Sequence, residues 1–122
     1  MKRVVLVVDD DPGYRQLIRW TLEDEGFAVE TAAGQEEALE SAARRPPAVA
    51  IVDVALPSGN GVALARDLRK LSDERLMIIT ITADGHAEQK AQLMQATAWL
   101  CKPFNIGHLV ATVRRVLDSA DL

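Results

Sequence analysis

Val4-Val5-Leu6-Val7-Val8-Asp9-Asp10-Asp11-Pro12-Gly13-Tyr14-Arg15 is the stretch whose reading decides the fold. Five consecutive apolar residues, four of them β-branched, are what a strand covered on both faces looks like. The run then empties onto three aspartates. Asp11 suits a helix N-cap and Pro12 the first helical position, where its missing N–H costs nothing. A buried strand that passes through an acidic turn into a helix is the first half of a βαβ unit.

The rest of the chain repeats this grammar. Val49–Val52 and Met77–Ile81 are further apolar runs, Phe27–Thr31 is a mixed one, and Trp99–Cys101 is a weaker fifth. Helical spacing separates them. Tyr14, Leu17, Ile18, Thr21 and Leu22 mark a first helix closed by Gly26, and a second runs from Gln35-Glu36-Glu37 to Arg44-Arg45 before Pro46-Pro47. Leu64, Ala65, Leu68 and Leu71 give a third, and His86 to Ala96 a fourth with a thin apolar face. Asn105 caps the fifth, whose stripe is Ile106, Leu109, Val110, Val113, Val116 and Leu117. Five strands alternating with five helices predict a doubly wound α/β domain on a five-stranded parallel sheet.

The 122 residues are 48% apolar and 26% charged, which fits one domain, 1–122, with no output domain beside it. The single cysteine, Cys101, excludes an internal disulfide and suits a reducing cytoplasm; it is expected as a small buried hydrophobe of the fifth strand. Val4–Val8 is too short for a signal peptide or a membrane span. A net charge of −4 is the wrong sign for holding nucleic acid through its phosphates.

In such sheets ligands bind beyond the carboxyl ends of the strands, where strand order reverses. The polar residues expected there are Asp9, Asp10, Asp53, Thr82 and Lys102. Singly, each has a bland explanation as a cap, a turn former or a solvated charge. Together they do not, because two carboxylates ~5 Å apart repel by about 3 kcal/mol at an effective dielectric of ~20. A hard divalent cation resolves the conflict, and an all-oxygen donor set suits Mg²⁺ better than Zn²⁺. His86 and His108 are too isolated to suggest otherwise. Beside such a cation one carboxylate can attack a phosphoryl group, with Lys102 as a point charge and Thr82 as a hydrogen-bond donor.

These residues resemble a known family. Val7-Val8-Asp9-Asp10-Asp11-Pro12 with Arg15, Asp53-Val54-Ala55-Leu56-Pro57 running to Gly61, Thr82-Ala83, and Lys102-Pro103-Phe104 together resemble the receiver domain of two-component response regulators. The resemblance implies a (βα)5 flavodoxin-like fold with strand order 2-1-3-4-5. It implies that Asp53 is the phosphoacceptor, and that Asp9, Asp10, Asp53 and the Ala55 carbonyl hold Mg²⁺, with Mn²⁺ able to substitute. It further implies that Thr82 and Lys102 contact the phosphoryl oxygens, that Lys102–Pro103 is cis, and that Thr82 and Trp99 form the switch. The implied partner is a histidine kinase or histidine phosphotransfer protein, met around the first helix, where Trp20 is expected to be exposed. The unphosphorylated chain is expected to be a cytoplasmic monomer that catalyses only its own phosphoryl transfer and dephosphorylation.

The sequence also departs from the family pattern. Trp99 stands where a tyrosine or phenylalanine is usual. Gln95-Ala96-Thr97-Ala98 lacks the usual glycine and acids, and His108 replaces a frequent glutamate, so the dimer of the winged-helix branch is not supported. Arg44-Arg45, Arg66/Arg69-Lys70 and Arg114-Arg115 read as solvated helix faces. A Mg²⁺-dependent phosphohydrolase acting on small substrates is the rival reading, weakened by the lack of length for a cap; a receiver-like module that never turns over phosphate is a second.

Overall fold

Strands β1 (Val4–Val8), β2 (Ala28–Ala32), β3 (Val49–Asp53), β4 (Met77–Thr82) and β5 (Ala98–Cys101) pair in parallel in the order β2-β1-β3-β4-β5. This computed structural model describes residues 3–55, 61–72, 75–83 and 86–120. Among them the strands alternate with α1 (Pro12–Asp24), α2 (Gln35–Arg44), α3 (Gly61–Leu71), α4 (Ala87–Leu93) and α5 (Ile106–Ala120). The expected strand order and doubly wound class are both found.

Alternation along β1 explains the two layers of helices. Val5 and Val7 enter a cluster with Ile18 and Leu22 of α1 and with Leu109, Val113, Val116 and Leu117 of α5. Leu6 and Val8 enter another with Ala38 and Ala42 of α2 and Leu64, Ala65 and Leu68 of α3. Both faces of β1 are therefore dry, which is why its sequence is an unbroken apolar run. From β1 the chain first adds β2 on one side and then returns to place β3 on the other. The crevice beyond the carboxyl ends of β1 and β3 is thus the topological switch point.

The helix ends follow the local chemistry. The Asp11 side chain accepts the Gly13 N–H at 2.8 Å, and Asn105 accepts the N–H groups of Gly107 and His108 at 2.8 and 3.3 Å. Gly26, at φ 94°, closes α1, with its own N–H donating to the Glu23 carbonyl and that of Phe27 to Leu22. Phe27 is thereby used up by the helix end, so β2 starts at Ala28 and not at Phe27 as expected.

Other expectations need correction. Helix α4 spans Ala87–Leu93, shorter than His86 to Ala96, because Gln95 turns left-handed at φ 53° and the Ala96 N–H folds back onto the Ala91 carbonyl. Leu17 and Leu71 lie on the right faces of α1 and α3 but are 47% and 45% exposed. Helical period fixes a direction and says nothing about how far the opposing layer extends. Cys101 is exposed, not buried. On edge strand β5 only Ala98 and Leu100 face a covered side, and Trp99 and Cys101 alternate outward.

Burial separates two leucine-class positions that periodicity treats alike. Ile51→Ala, at a fully buried site of β3, is expected to cost about 3 kcal/mol, against less than about 1 kcal/mol for Leu71→Ala, in urea unfolding. Equal losses would contradict the core boundary described.

Candidate functional site

The carboxyl ends of β1, β3, β4 and β5 deliver five polar side chains to the switch point. Asp9 follows β1, and its N–H donates to the Ala32 carbonyl at 3.1 Å, which continues the sheet ladder by one residue. Its Oδ1 accepts the Asp11 N–H at 2.9 Å, and its carbonyl accepts Nη1 of Arg15 at 2.8 Å. Asp53 ends β3, and its Oδ1 accepts the Ala55 N–H at 2.8 Å. Lys102 follows β5, where its backbone N–H donates to the Thr82 carbonyl at 2.8 Å and its bond to Pro103 is cis.

From there the Lys102 side chain closes the site. Its Nζ lies 2.8 Å from Asp9 Oδ2 and 2.8 Å from Asp53 Oδ2. The side chains are 11%, 0% and 5% exposed respectively, so water screens the triad little. The Tyr14 ring lies against the same ammonium, 4.3 Å from its centroid. Asp10, next in the chain, is exposed, yet Asp9, Asp10 and Asp53 each offer an oxygen within 4.8 Å of the others.

Burial and charge shape the titration of this group. Burial of Asp9 raises its carboxyl above the ordinary value of 3.8, outweighing the Lys102 ammonium and the Asp11 N–H that pull it down; Asp53 adds a further upward push. Lys102 behaves differently. Burial would lower its ammonium, but the carboxylates of Asp53 and Asp9 prevail and hold it above the usual 10.5. One cation shared by two acids gains from both, whereas the fully buried acid has only a share of one cation.

Of the expected site residues, Asp9, Asp10, Asp53 and Lys102 are brought together. Thr82 is buried at the end of β4, one residue beyond Ile81, the register partner of Asp53. Ala55 is exposed in the turn after β3. Leu56 to Asn60 lie outside the described residues, so that part of the motif is left there. Asp11 serves as the helix cap. Trp20 is 59% exposed on α1, as expected, and Trp99 is 45% exposed on β5, register-paired with Thr80. One arginine departs from the solvated-face reading: Arg69 donates to the carbonyls of Met94 and Gln95 at 3.0 and 2.9 Å, with burial lowering its guanidinium. Arg114 stays on a solvated face of α5, where it pairs with the exposed Glu25. Tyr14 and Arg15 also touch the site, although the motif places only Arg15 near it and the helical period makes Tyr14 one more member of the apolar stripe of α1.

The donor set fits a hard divalent cation. Three carboxylates within 4.8 Å, no sulfur or imidazole among them, and a buried Asp9 Oδ2 that has no hydrogen-bond partner among the described residues and shares the Lys102 ammonium with Asp53 match Mg²⁺ chemistry. Metal binding needs these acids ionised, and ionised Asp9 is the form that burial penalises. With its folded value raised, Asp9 contributes stability that is complete below 3.8 and lost as pH rises through the higher folded value. The increase in Tm caused by millimolar Mg²⁺ should therefore be small near pH 4 and grow toward pH 7, as read by calorimetry. An increase that does not change with pH, or none, would contradict this.

Known proteins resemble this chain in sequence and in fold. The sequence model described as "Response regulator receiver domain" matches residues 5–114. The chain is 36% identical over 115 residues to the KDP operon transcriptional regulatory protein KdpE of Escherichia coli (strain K12), covering 93% of this chain and 50% of that protein. It is 35% identical over 119 residues to the phosphate regulon transcriptional regulatory protein PhoB of Rhizobium meliloti (strain 1021), covering 95% and 52%. The chain thus spans about half the length of these curated relatives. Among solved structures, the Vibrio cholerae chemotaxis protein CheY4 superposes with a TM-score of 0.87 at 35% identity, covering 95% of this chain and 99% of that one. A CheY-like receiver domain protein from Methanospirillum hungatei JF-1 gives 0.90 at 27%, covering 99% and 98%. Fold and sequence agree, and the chain belongs to the response regulator receiver domain family.

Proposed function

We propose that Asp53 accepts a phosphoryl group from a phosphohistidine on a histidine kinase or histidine phosphotransfer protein, and that residues 1–122 work as one cytoplasmic receiver unit. The observation that carries this reading is the Asp53 carboxylate, held at the switch point with Lys102 Nζ at 2.8 Å and with Asp9 and Asp10 oxygens within 4.8 Å. An Asp53 oxygen attacks phosphorus; the new O–P bond forms as the P–N bond breaks, and the electron pair leaves with the imidazole. Asp9, Asp10, Asp53 and the Ala55 carbonyl would hold Mg²⁺, which when bound neutralises charge on the phosphoryl oxygens. Lys102, already beside the accepting carboxylate, follows the new charge, and the Thr82 hydroxyl donates a hydrogen bond to it. The chemistry is the domain's own phosphorylation and its reversal.

Trp99 extends the reading to signal output. It flanks Thr80 across the β4–β5 register, two residues before Thr82 on the same face of β4. Movement of Thr82 toward a phosphoryl group changes the ground on which the indole rests, whereas Trp20 lies on the far helix α1.

Mass spectrometry after acetyl phosphate and Mg²⁺ should find one phosphoryl group on the wild type and none on Asp53→Asn. Asp10→Ala should weaken metal binding strongly, while Asp11→Ala should cost only about 1 kcal/mol of helix-cap stability. A stable adduct on another aspartate of Asp53→Asn would overturn the assignment. With beryllofluoride as phosphoryl mimic, the fluorescence of Trp20→Phe, which keeps Trp99, should change more than that of Trp99→Phe. The reverse order would remove Trp99 from the switch.

A further inference from the structure

An ammonium has three N–H donors; that of Lys102 donates one to Asp53 Oδ2 at 2.8 Å and meets Asp9 Oδ2 as an ion pair, also at 2.8 Å. The third side of the nitrogen faces a ring. The Tyr14 centroid lies 4.3 Å from Nζ, inside the range over which an aromatic face attracts a cation. Tyr14 is the third residue of α1, so its place is set by the Asp11 cap and by Pro12. On the other side the ring meets Phe104 at 5.8 Å between centroids, tilted by 47°. Phe104 packs against the buried cluster shared by α1 and α5. The ring therefore stands on fixed ground while it touches a flexible side chain.

We infer that Tyr14 is a positioning residue for Lys102, its ring face holding the ammonium at the point from which it reaches both Asp9 and Asp53. The inference rests on the reading of Lys102 given above and adds a residue to it. A lysine head group on four methylenes has many rotamers, and only a few put its charge beside the accepting carboxylate. The two acids alone do not choose among them once Asp9 and Asp53 are engaged elsewhere, as they are when a metal or a phosphoryl group is present. The ring is a neutral partner that stays in place through that change. Its contribution comes from the π face, so the phenol oxygen is dispensable.

Tyr14→Phe and Tyr14→Leu separate this role from simple packing, since both fill the space and only the first keeps a ring. With acetyl phosphate at saturating Mg²⁺, Tyr14→Phe should modify Asp53 at the wild-type rate and Tyr14→Leu about fivefold more slowly. A Tyr14→Leu rate equal to wild type, or a Tyr14→Phe rate as slow as that of Tyr14→Leu, overturns the inference. A second measurement does not depend on the leucine variant folding. The Lys102 ε-methylene protons should lie upfield of those of the other lysines in wild type and in Tyr14→Phe, shifted by the ring current. Their absence from that region in the folded wild type overturns the inference equally. A wild type that gains no phosphoryl group defeats the phosphoacceptor reading instead, and the ε-methylene shift still decides the contact.

Discussion

The Lys102 ammonium sits between two buried carboxylates, and the arrangement of the site depends on that one contact. Asp9 is fully buried and Asp53 nearly so, which leaves little water to screen their mutual repulsion. Nζ at 2.8 Å from each supplies the compensating charge from a strand that is not a neighbour of either. The balance is incomplete, since burial still raises the Asp9 carboxyl. An acidic site left partly uncompensated is ready to take a divalent cation.

Topology makes the contact possible. Parallel strands all end at the same edge, so residues 9, 53, 82 and 102, far apart in the chain, emerge side by side. β1 and β3 are each followed by a short turn in which a backbone N–H is spent on the acid at the strand end: Asp11 N–H on Asp9 and Ala55 N–H on Asp53. The carboxylates are thus aimed by local turns and charged by a distant lysine. Tyr14, delivered by the first helix, and Phe104, just past the cis Lys102–Pro103 bond, tie the lysine's surroundings to the buried cluster beneath α1 and α5.

Much of this was legible in the sequence because it is written in short-range patterns. An apolar run followed by Asp9-Asp10-Asp11-Pro12 announces a buried strand, an acidic edge and a helix start within nine residues. The convergence of Asp53 and Lys102 on that edge followed from parallel topology and from family resemblance. What stayed hidden depends on third partners. Tyr14 counted as one more member of an apolar stripe, because period cannot show that its ring also meets a cation. Arg69 looked like a solvated charge until the left-handed turn at Gln95 presented carbonyls to it. Cys101 was expected inside because edge strands and central strands share composition, and only the sheet order shows that one face of β5 is bare.

The most direct test removes the shared cation. Thermal unfolding of Lys102→Met and wild type, each at neutral pH with chelator and with saturating Mg²⁺, compares a cluster that has lost its ammonium with one that keeps it. The variant should be clearly less stable than wild type without metal, because an uncompensated buried charge costs about 3–5 kcal/mol before any protonation relieves it, and Mg²⁺ should raise its Tm by more than it raises that of wild type. A variant as stable as wild type in chelator, or an equal Mg²⁺ increment in both proteins, would contradict the account.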